Sequence, residues 1–308
     1  MNGNKSGLGR NVTEQLAQVP HHRLVKRKPR RLVALLAVGG LLAGGAAYKF
    51  WPRQSAAPVA AFTESASTDS AAVREAEVAP LARCIAQLDK AEEILSKITD
   101  IRAVFHKQER IEGVLGDLNR VDLKVRHKPL SAYMRWISKP EGREILWQED
   151  ANDGKILVQA GGMMKNVLPV LRVDPNGGQA MSASRHPISE IGPWHMTEEL
   201  NRKIHTLQDH PAMTATVSEV RGEGDRPILK YSFSQPAPRG ELTCHKLVIY
   251  IDEAMQIPLG YEVFDFPPAG STEPALDESY LYTKLELNPG LTQIDFDESN
   301  PAYEFKRK

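Results

Sequence analysis

Between Arg120 and Gln159 apolar and polar residues alternate, break and alternate again. A run of short antiparallel strands is the backbone that satisfies this pattern. Val121, Leu123 and Val125 alternate with Asp122, Lys124 and Arg126, the period of two of a strand with one buried face. Lys128-Pro129 interrupts it. Ala132, Met134 and Trp136 then share one face, with Tyr133, Arg135 and Ile137 on the other. Lys139-Pro140-Glu141-Gly142 and Asn152-Asp153-Gly154 carry turn chemistry, and Ile145, Trp147, Ile156 and Val158 continue the sheet between and beyond them. A curved sheet with aromatic and Met side chains on a face is a candidate wall of an apolar cavity. Phe105, Tyr133, Met134, Trp136 and Trp147 are the residues expected to line it; the competing reading is an ordinary filled core.

A helix must cover such a sheet. After Pro80, Leu81, Ile85, Leu88 and Leu95 recur on one helical face, widened by Cys84, Ala91, Ile94 and Ile98, while Asp89, Lys90, Glu92, Glu93 and Lys97 take the other. Ile101 to Ile111 reads as the first strand. Gln179 to Gly192 has no period and reads as a loop, and Pro193 to about Gln208 is helical again through Met196, Leu200, Ile204 and Leu207. Strands return at Met213–Val220, Ile228–Phe233, Leu242–Ile251, Pro258–Phe266 and Tyr280–Leu287, with a polar loop over 267–278 and an extended or irregular tail to Phe305. The fold class is therefore α+β, mostly antiparallel β, with about ten strands. An unclosed half-barrel covered by helices and a sandwich both fit, and the long first helix favours the half-barrel.

Charge is distributed unevenly. Residues 1–53 hold ten of the 39 Lys and Arg and one acidic residue, leaving 29 basic against 38 acidic in the remainder. An acidic folded part excludes a phosphate-tracking groove, so no nucleic-acid partner is expected. Six basic residues between Arg23 and Arg31 precede an uncharged apolar run from Leu32 to Tyr48. At about 1.5 Å per residue this run spans a thin bilayer. The basic flank belongs on the cytoplasmic side. Residues 1–31 then form a cytoplasmic N-terminus, 32–51 a transmembrane anchor in the inner membrane, 52–80 a flexible periplasmic linker and 81–308 the folded domain. A cleaved signal peptide ending near Gly45-Ala46-Ala47, giving a soluble periplasmic protein, is the competing reading.

Cys84 and Cys244 both follow the apolar run, where an oxidising compartment allows a disulfide; two free thiols are the alternative.

Several segments resemble the bacterial domain-of-unknown-function family 1571 (DUF1571) over residues from about 84 to 305. They are Phe105-His106-Lys107-Gln108-Glu109-Arg110, Val125-Arg126-His127-Lys128-Pro129-Leu130-Ser131-Ala132-Tyr133-Met134-Arg135-Trp136, Pro140-Glu141-Gly142-Arg143-Glu144, Asn152-Asp153-Gly154-Lys155, Ser184-Arg185-His186-Pro187-Ile188 and Leu287-Asn288-Pro289-Gly290-Leu291. The resemblance extends to the LolA-like lipoprotein carriers. It implies an unclosed barrel capped by helices, an envelope location and a hydrophobic cavity for a lipid or a lipoprotein acyl chain. It implies no reaction.

The residues themselves supply no enzyme. GxSxG, GxxxxGK, HExxH and CxxC motifs are absent. His186, His195, His205 and His210 cluster in sequence, but His205 and His210 are five apart, which misses helical ligand spacing. Neither a metal nor a cofactor is expected. The long loops 179–192 and 267–278 point to the rival function, an envelope protein partner gripped without any small ligand.

Overall fold

The structure, a computed structural model, describes residues 62–64, 79–207, 213–238 and 243–305. The expected cytoplasmic N-terminus and membrane anchor, and most of the expected linker, lie outside the described residues. Among those described, no helix is long and apolar enough to cross a membrane.

Among the described residues, thirteen strands form one sheet. In chain order they are β1 (Thr63–Glu64), β2 (Asp100–Ile111), β3 (Val114–Leu115), β4 (Asn119–Arg126), β5 (Ser131–Trp136), β6 (Glu144–Gln148), β7 (Ile156–Gln159), β8 (Leu171–Val173), β9 (Thr214–Arg221), β10 (Pro227–Ser234), β11 (Lys246–Asp252), β12 (Ile257–Asp265) and β13 (Ala275–Leu287). In space the order is β1-β9-β10-β11-β12-β13-β2-β4-β5-β6-β7-β8, with β3 hairpinned onto β2. Every pairing is antiparallel. The last strand in sequence, β13, inserts between β12 and β2 and so joins the two halves of the sheet. Its two ends, β1 and β8, each pair on one side, which leaves the sheet open.

The strand count exceeds the expected ten because β1, β3 and β8 are two or three residues long. A period of two cannot be seen in so short a run. Strand β1 falls inside the segment expected to be a spacer; there Phe62 packs on Tyr250 with ring centroids 5.0 Å apart. Strand β13 begins at Ala275, so the expected polar loop ends earlier than its composition suggests.

Helix α1 (Pro80–Leu95) lies on the sheet as its pattern requires. Cys84, Ile85, Leu88, Ala91 and Leu95 are buried, and the steps of three and four from Ile85 to Leu95 keep them on one helical face. A second full helix, α3 (Pro193–His205), packs beside it through Met196, Leu200 and Ile204, and a single turn, α2 (Gly178–Met181), precedes it. Asn201 Nδ2 donates to Asp89 Oδ1 at 3.0 Å and to Glu92 Oε1 at 2.9 Å, which fixes one helix against the other. Trp194 Nε1 donates at 2.9 Å to the Leu95 carbonyl, which also accepts from the Ile98 N–H at 3.0 Å, and so ties α3 to the end of α1.

The main core joins these helices to inward residues of β2, β4, β5 and β9 to β13. A second core lies on the opposite face. There Tyr133, Leu146 and Leu157 are covered by Phe296 and Phe305 from the C-terminal segment. The tail expected to be extended or irregular is therefore a structural layer. It starts with a 3-10 turn over Gln293–Phe296, closed at its N-terminus by a reciprocal Thr292–Asp295 capping box.

Candidate functional site

The inward residues do not fill the space between sheet and helices. A cavity of about 660 Å³ remains, within the size range of small-molecule sites. It is bordered by residues of eight strands, from Leu247 on β11 round to Val173 on β8. Nine strands of a flat sheet at about 4.8 Å spacing would put those two edges nearly 40 Å apart. Both edges border one cavity, so the sheet curves around it. Met196 and Leu200 of α3 contribute to the cover, and the segment from Ala180 to Gly192 forms one wall.

The apolar part of the lining follows from strand periodicity. Phe105 on β2 and Met134 and Trp136 on β5 border the cavity. Phe105 lies between Tyr280 and Tyr282 of β13, with ring centroids 5.9 and 5.0 Å away. Ile156 and Val158 on β7 and Val263 on β12 continue the apolar surface.

Two expected lining residues are placed elsewhere. Tyr133 is on the opposite face, stacked 3.7 Å from Tyr303 and donating to Glu144 Oε1 at 3.0 Å. Its one-residue offset from Met134 sends it outward, as the pleat demands. Trp147 keeps the inward face but packs in a separate cluster with Ile156, Val158 and Val173, and its Nε1 donates to the Gly154 carbonyl.

The cysteines do not pair. Cys84 is fully buried on α1 and Cys244 is half-buried at the cavity, and both thiols are free. Burial pushes the Cys84 thiol far up and the Cys244 thiol up to about 11.

A polar cluster occupies one side of the cavity. Lys107 Nζ reaches Glu109 Oε2 at 3.1 Å and donates to Ser184 Oγ at 2.7 Å. Glu109 also accepts the Tyr280 hydroxyl and the Arg185 backbone N–H. Arg185 grips Asp277 at 2.8 Å and Glu278 at 2.9 Å. His186 stands between two carboxylates, with Nδ1 3.0 Å from Glu190 and Nε2 3.2 Å from Glu278. Tyr261 donates to the other Glu278 oxygen at 3.3 Å.

The charges follow from these contacts. The Glu278 hydrogen bond, with the charges of Glu278 and Glu190 behind it, raises the His186 pKa despite burial. Burial works against the Glu278 charge, but the His186 hydrogen bond and the charges of His186 and Arg185 hold its carboxyl below the usual range. Burial pushes the Tyr280 and Tyr261 hydroxyls far up, and nearby carboxylates add to it. Both phenols therefore stay protonated and act as donors.

Periodicity held a signal for part of this cluster. Lys107 and Glu109 share the inward face of Phe105, two and four residues on. His186, Arg185 and Glu278 gave none, because they meet only when β13 inserts beside β2. Of the remaining histidines, His195 lies 3.6 Å from Glu190 and His205 3.3 Å from Asp89, and His210 lies outside the described residues. Among the described residues, no group of three or more His, Cys, Asp and Glu is placed to hold a metal ion.

The chain is similar to several solved structures. One is the lipoprotein LppX of Mycobacterium tuberculosis, at 12% identity over 70% of this chain and 99% of that one, with a TM-score of 0.40. LprF from Mycobacterium bovis is 10% identical over 68% and 95%, with a TM-score of 0.38. A LolA superfamily protein from Nitrosomonas europaea is 12% identical over 69% and 96%, with a TM-score of 0.28. No curated protein matches the chain. The family model described as a protein of unknown function, DUF1571, matches residues 98–305, two-thirds of the sequence, and the chain belongs to that family.

Proposed function

We propose that the protein binds a hydrophobic ligand, a lipid or a lipoprotein acyl chain, in the cavity of a half-barrel, and does so without catalysis. One observation carries this reading: a cavity of about 660 Å³ between sheet and helices, with Phe105, Met134, Trp136, Ile156, Val158 and Val263 on its walls. Each buried methylene of a ligand would contribute about 0.8 kcal/mol there, so a chain of ten carbons gives ample driving force even after ordering costs. The basic flank and apolar run at 23–51 support a setting at the inner membrane, with the cytoplasmic side holding the N-terminus and the periplasm holding the folded part.

The test is native mass spectrometry of the full-length chain after gentle extraction, set beside Val263→Trp, which fills the cavity from β12. A lipid-sized adduct is expected on the wild-type protein and not on the variant, with the fold intact in both. A wild-type chain that carries no adduct and takes up no neutral apolar probe would sink the reading.

A second reading, an envelope protein partner, is favoured by the exposed side chains of Val114, Met163 and Val167, of which Met163 is 95% exposed. Val114 is on the short strand β3, and Met163 and Val167 follow β7, so the three stand at the same end of the sheet, beyond the C-terminal ends of β2 and β7. Crosslinking from these positions in cells would return a defined protein if that surface docks one, and only lipid if it does not.

A further inference from the structure

We infer that the cavity selects ligands whose head is uncharged and donates hydrogen bonds, such as a hydroxyl, and rejects those ending in a free carboxylate. This rests on the binding reading above and narrows its ligand class. Three observations carry it.

The first is the balance of charge. Six carboxylates border the cavity (Glu109, Glu190, Glu199, Asp265, Asp277 and Glu278) against four Lys and Arg side chains. That leaves an excess of two negative charges, or one once the His186 imidazolium held between Glu190 and Glu278 is counted. An anionic head would enter a confined, partly apolar space already negative, and would lose its water there without gaining a counter-charge.

The second is that the cations are committed. Lys107 lies 3.1 Å from Glu109, Arg185 is held by Asp277 and Glu278, and Lys203 lies 3.3 Å from Glu199. The Arg143 guanidinium sits over the Trp136 ring, 5.3 Å from its centroid. An incoming carboxylate would have to displace an existing carboxylate to reach any of the first three.

The third is that two neutral donors of the polar cluster are spent in the same way. Tyr280 gives its hydroxyl proton to Glu109 and Tyr261 gives its own to Glu278. Ionised carboxylates only accept, and each retains lone pairs beyond those already used. The wall therefore offers acceptors to a donor and little to an anion. Asp277 bears the mark of this crowding: burial, with Glu278 and Asp265 adding to it, raises its carboxyl above the usual range in spite of Arg185.

The experiment is displacement of the neutral probe N-phenyl-1-naphthylamine from the full-length protein at pH 7.5 by dodecanol and by dodecanoate, which share one chain length. Dodecanol is expected to displace the probe at about tenfold lower concentration, the scale of one like-charge contact in a partly screened site. The double variant Glu190→Gln, Asp277→Asn removes two of the six carboxylates, and it is expected to improve displacement by dodecanoate severalfold and to narrow the difference between the two ligands. Dodecanoate competing as well as dodecanol on the wild type would overturn the selectivity and leave the binding function standing. Failure of the probe itself to bind would overturn both.

Discussion

His186 Nε2 lies 3.2 Å from Glu278 Oε2, and this contact ties the 178–192 wall of the cavity to strand β13. Both ring nitrogens face carboxylates, so the doubly protonated imidazolium is the form that satisfies them. The other charged groups around it are Glu190 and Arg185 on its own segment, Asp277 beside Glu278 on β13, and Lys203 and His195 on α3. The Glu278 contact raises the His186 pKa above its ordinary 6.5, so its stabilisation is complete below 6.5 and is lost as pH climbs through the raised value. The depressed Glu278 carboxyl works the other way: its share is present above 4.5 and is lost as pH falls through its lowered value. Hydrogen-exchange protection factors over 182–192, corrected for the intrinsic rate at each pH, should therefore be highest between those limits and fall on both sides. In His186→Ala the alkaline fall should vanish; the same fall in the variant would show that some other group carries it.

Phe296 is fully buried against Leu146 and Leu157, and its carbonyl accepts from Gln148 Nε2 at 2.8 Å. Phe296→Ala should cost about 3–5 kcal/mol by denaturant titration, the range of buried Phe truncations. Limited proteolysis should then cut within 291–305 first. Since the layer lies on the face away from the cavity, probe binding at low temperature should persist. Unchanged stability would mean that the tail does not anchor there.

That layer shows where reading the sequence stopped. The alternation over 120–159 gives β4 to β7, their turns and the shared face of Met134 and Trp136. It worked because each strand's face is set by its own neighbours two residues apart. The same alternation puts Tyr133 on the outer face; what covers that face is not local, because β5 and β7 are buried almost throughout and the residues over their outer side lie some 150 positions away. The polar wall was hidden for the same reason. Glu109 and Tyr280 are separated by 171 residues and meet through one long pairing. Inward Lys107 and Glu109 were readable in β2 as charges on an apolar face, but their partners were not.

Gly260 is a glycine for want of space. A Cβ there would sit 2.1 Å from the Tyr280 carbonyl oxygen and 2.7 Å from Leu281 Cα. Both are backbone atoms of β13, so relief requires β12 and β13 to separate. Gly260→Ala should destabilise the protein by about 3 kcal/mol or more, at the upper end of overpacking costs, and should also weaken probe binding because Tyr261 and Tyr280 are cavity walls. A thermal unfolding midpoint equal to the wild type would contradict the close approach.

The two thiols provide an internal report on the cavity. Cys84 is fully buried under the sheet, and burial holds its thiol far above the ordinary range. Cys244 borders the cavity, half-buried, with a thiol pushed up to about 11. Alkylation proceeds through the thiolate, whose fraction grows about tenfold per pH unit below the pKa. Iodoacetamide should therefore modify Cys244 slowly at pH 7 and roughly a hundredfold faster at pH 9, while Cys84 reacts only at the rate of global unfolding. An apolar ligand in the cavity should slow Cys244 and leave Cys84 unchanged. Peptide mass spectrometry resolves the two sites. Equal rates at both, or a peptide pair joined and two hydrogens lighter, would contradict the separate burial of Cys84 and Cys244.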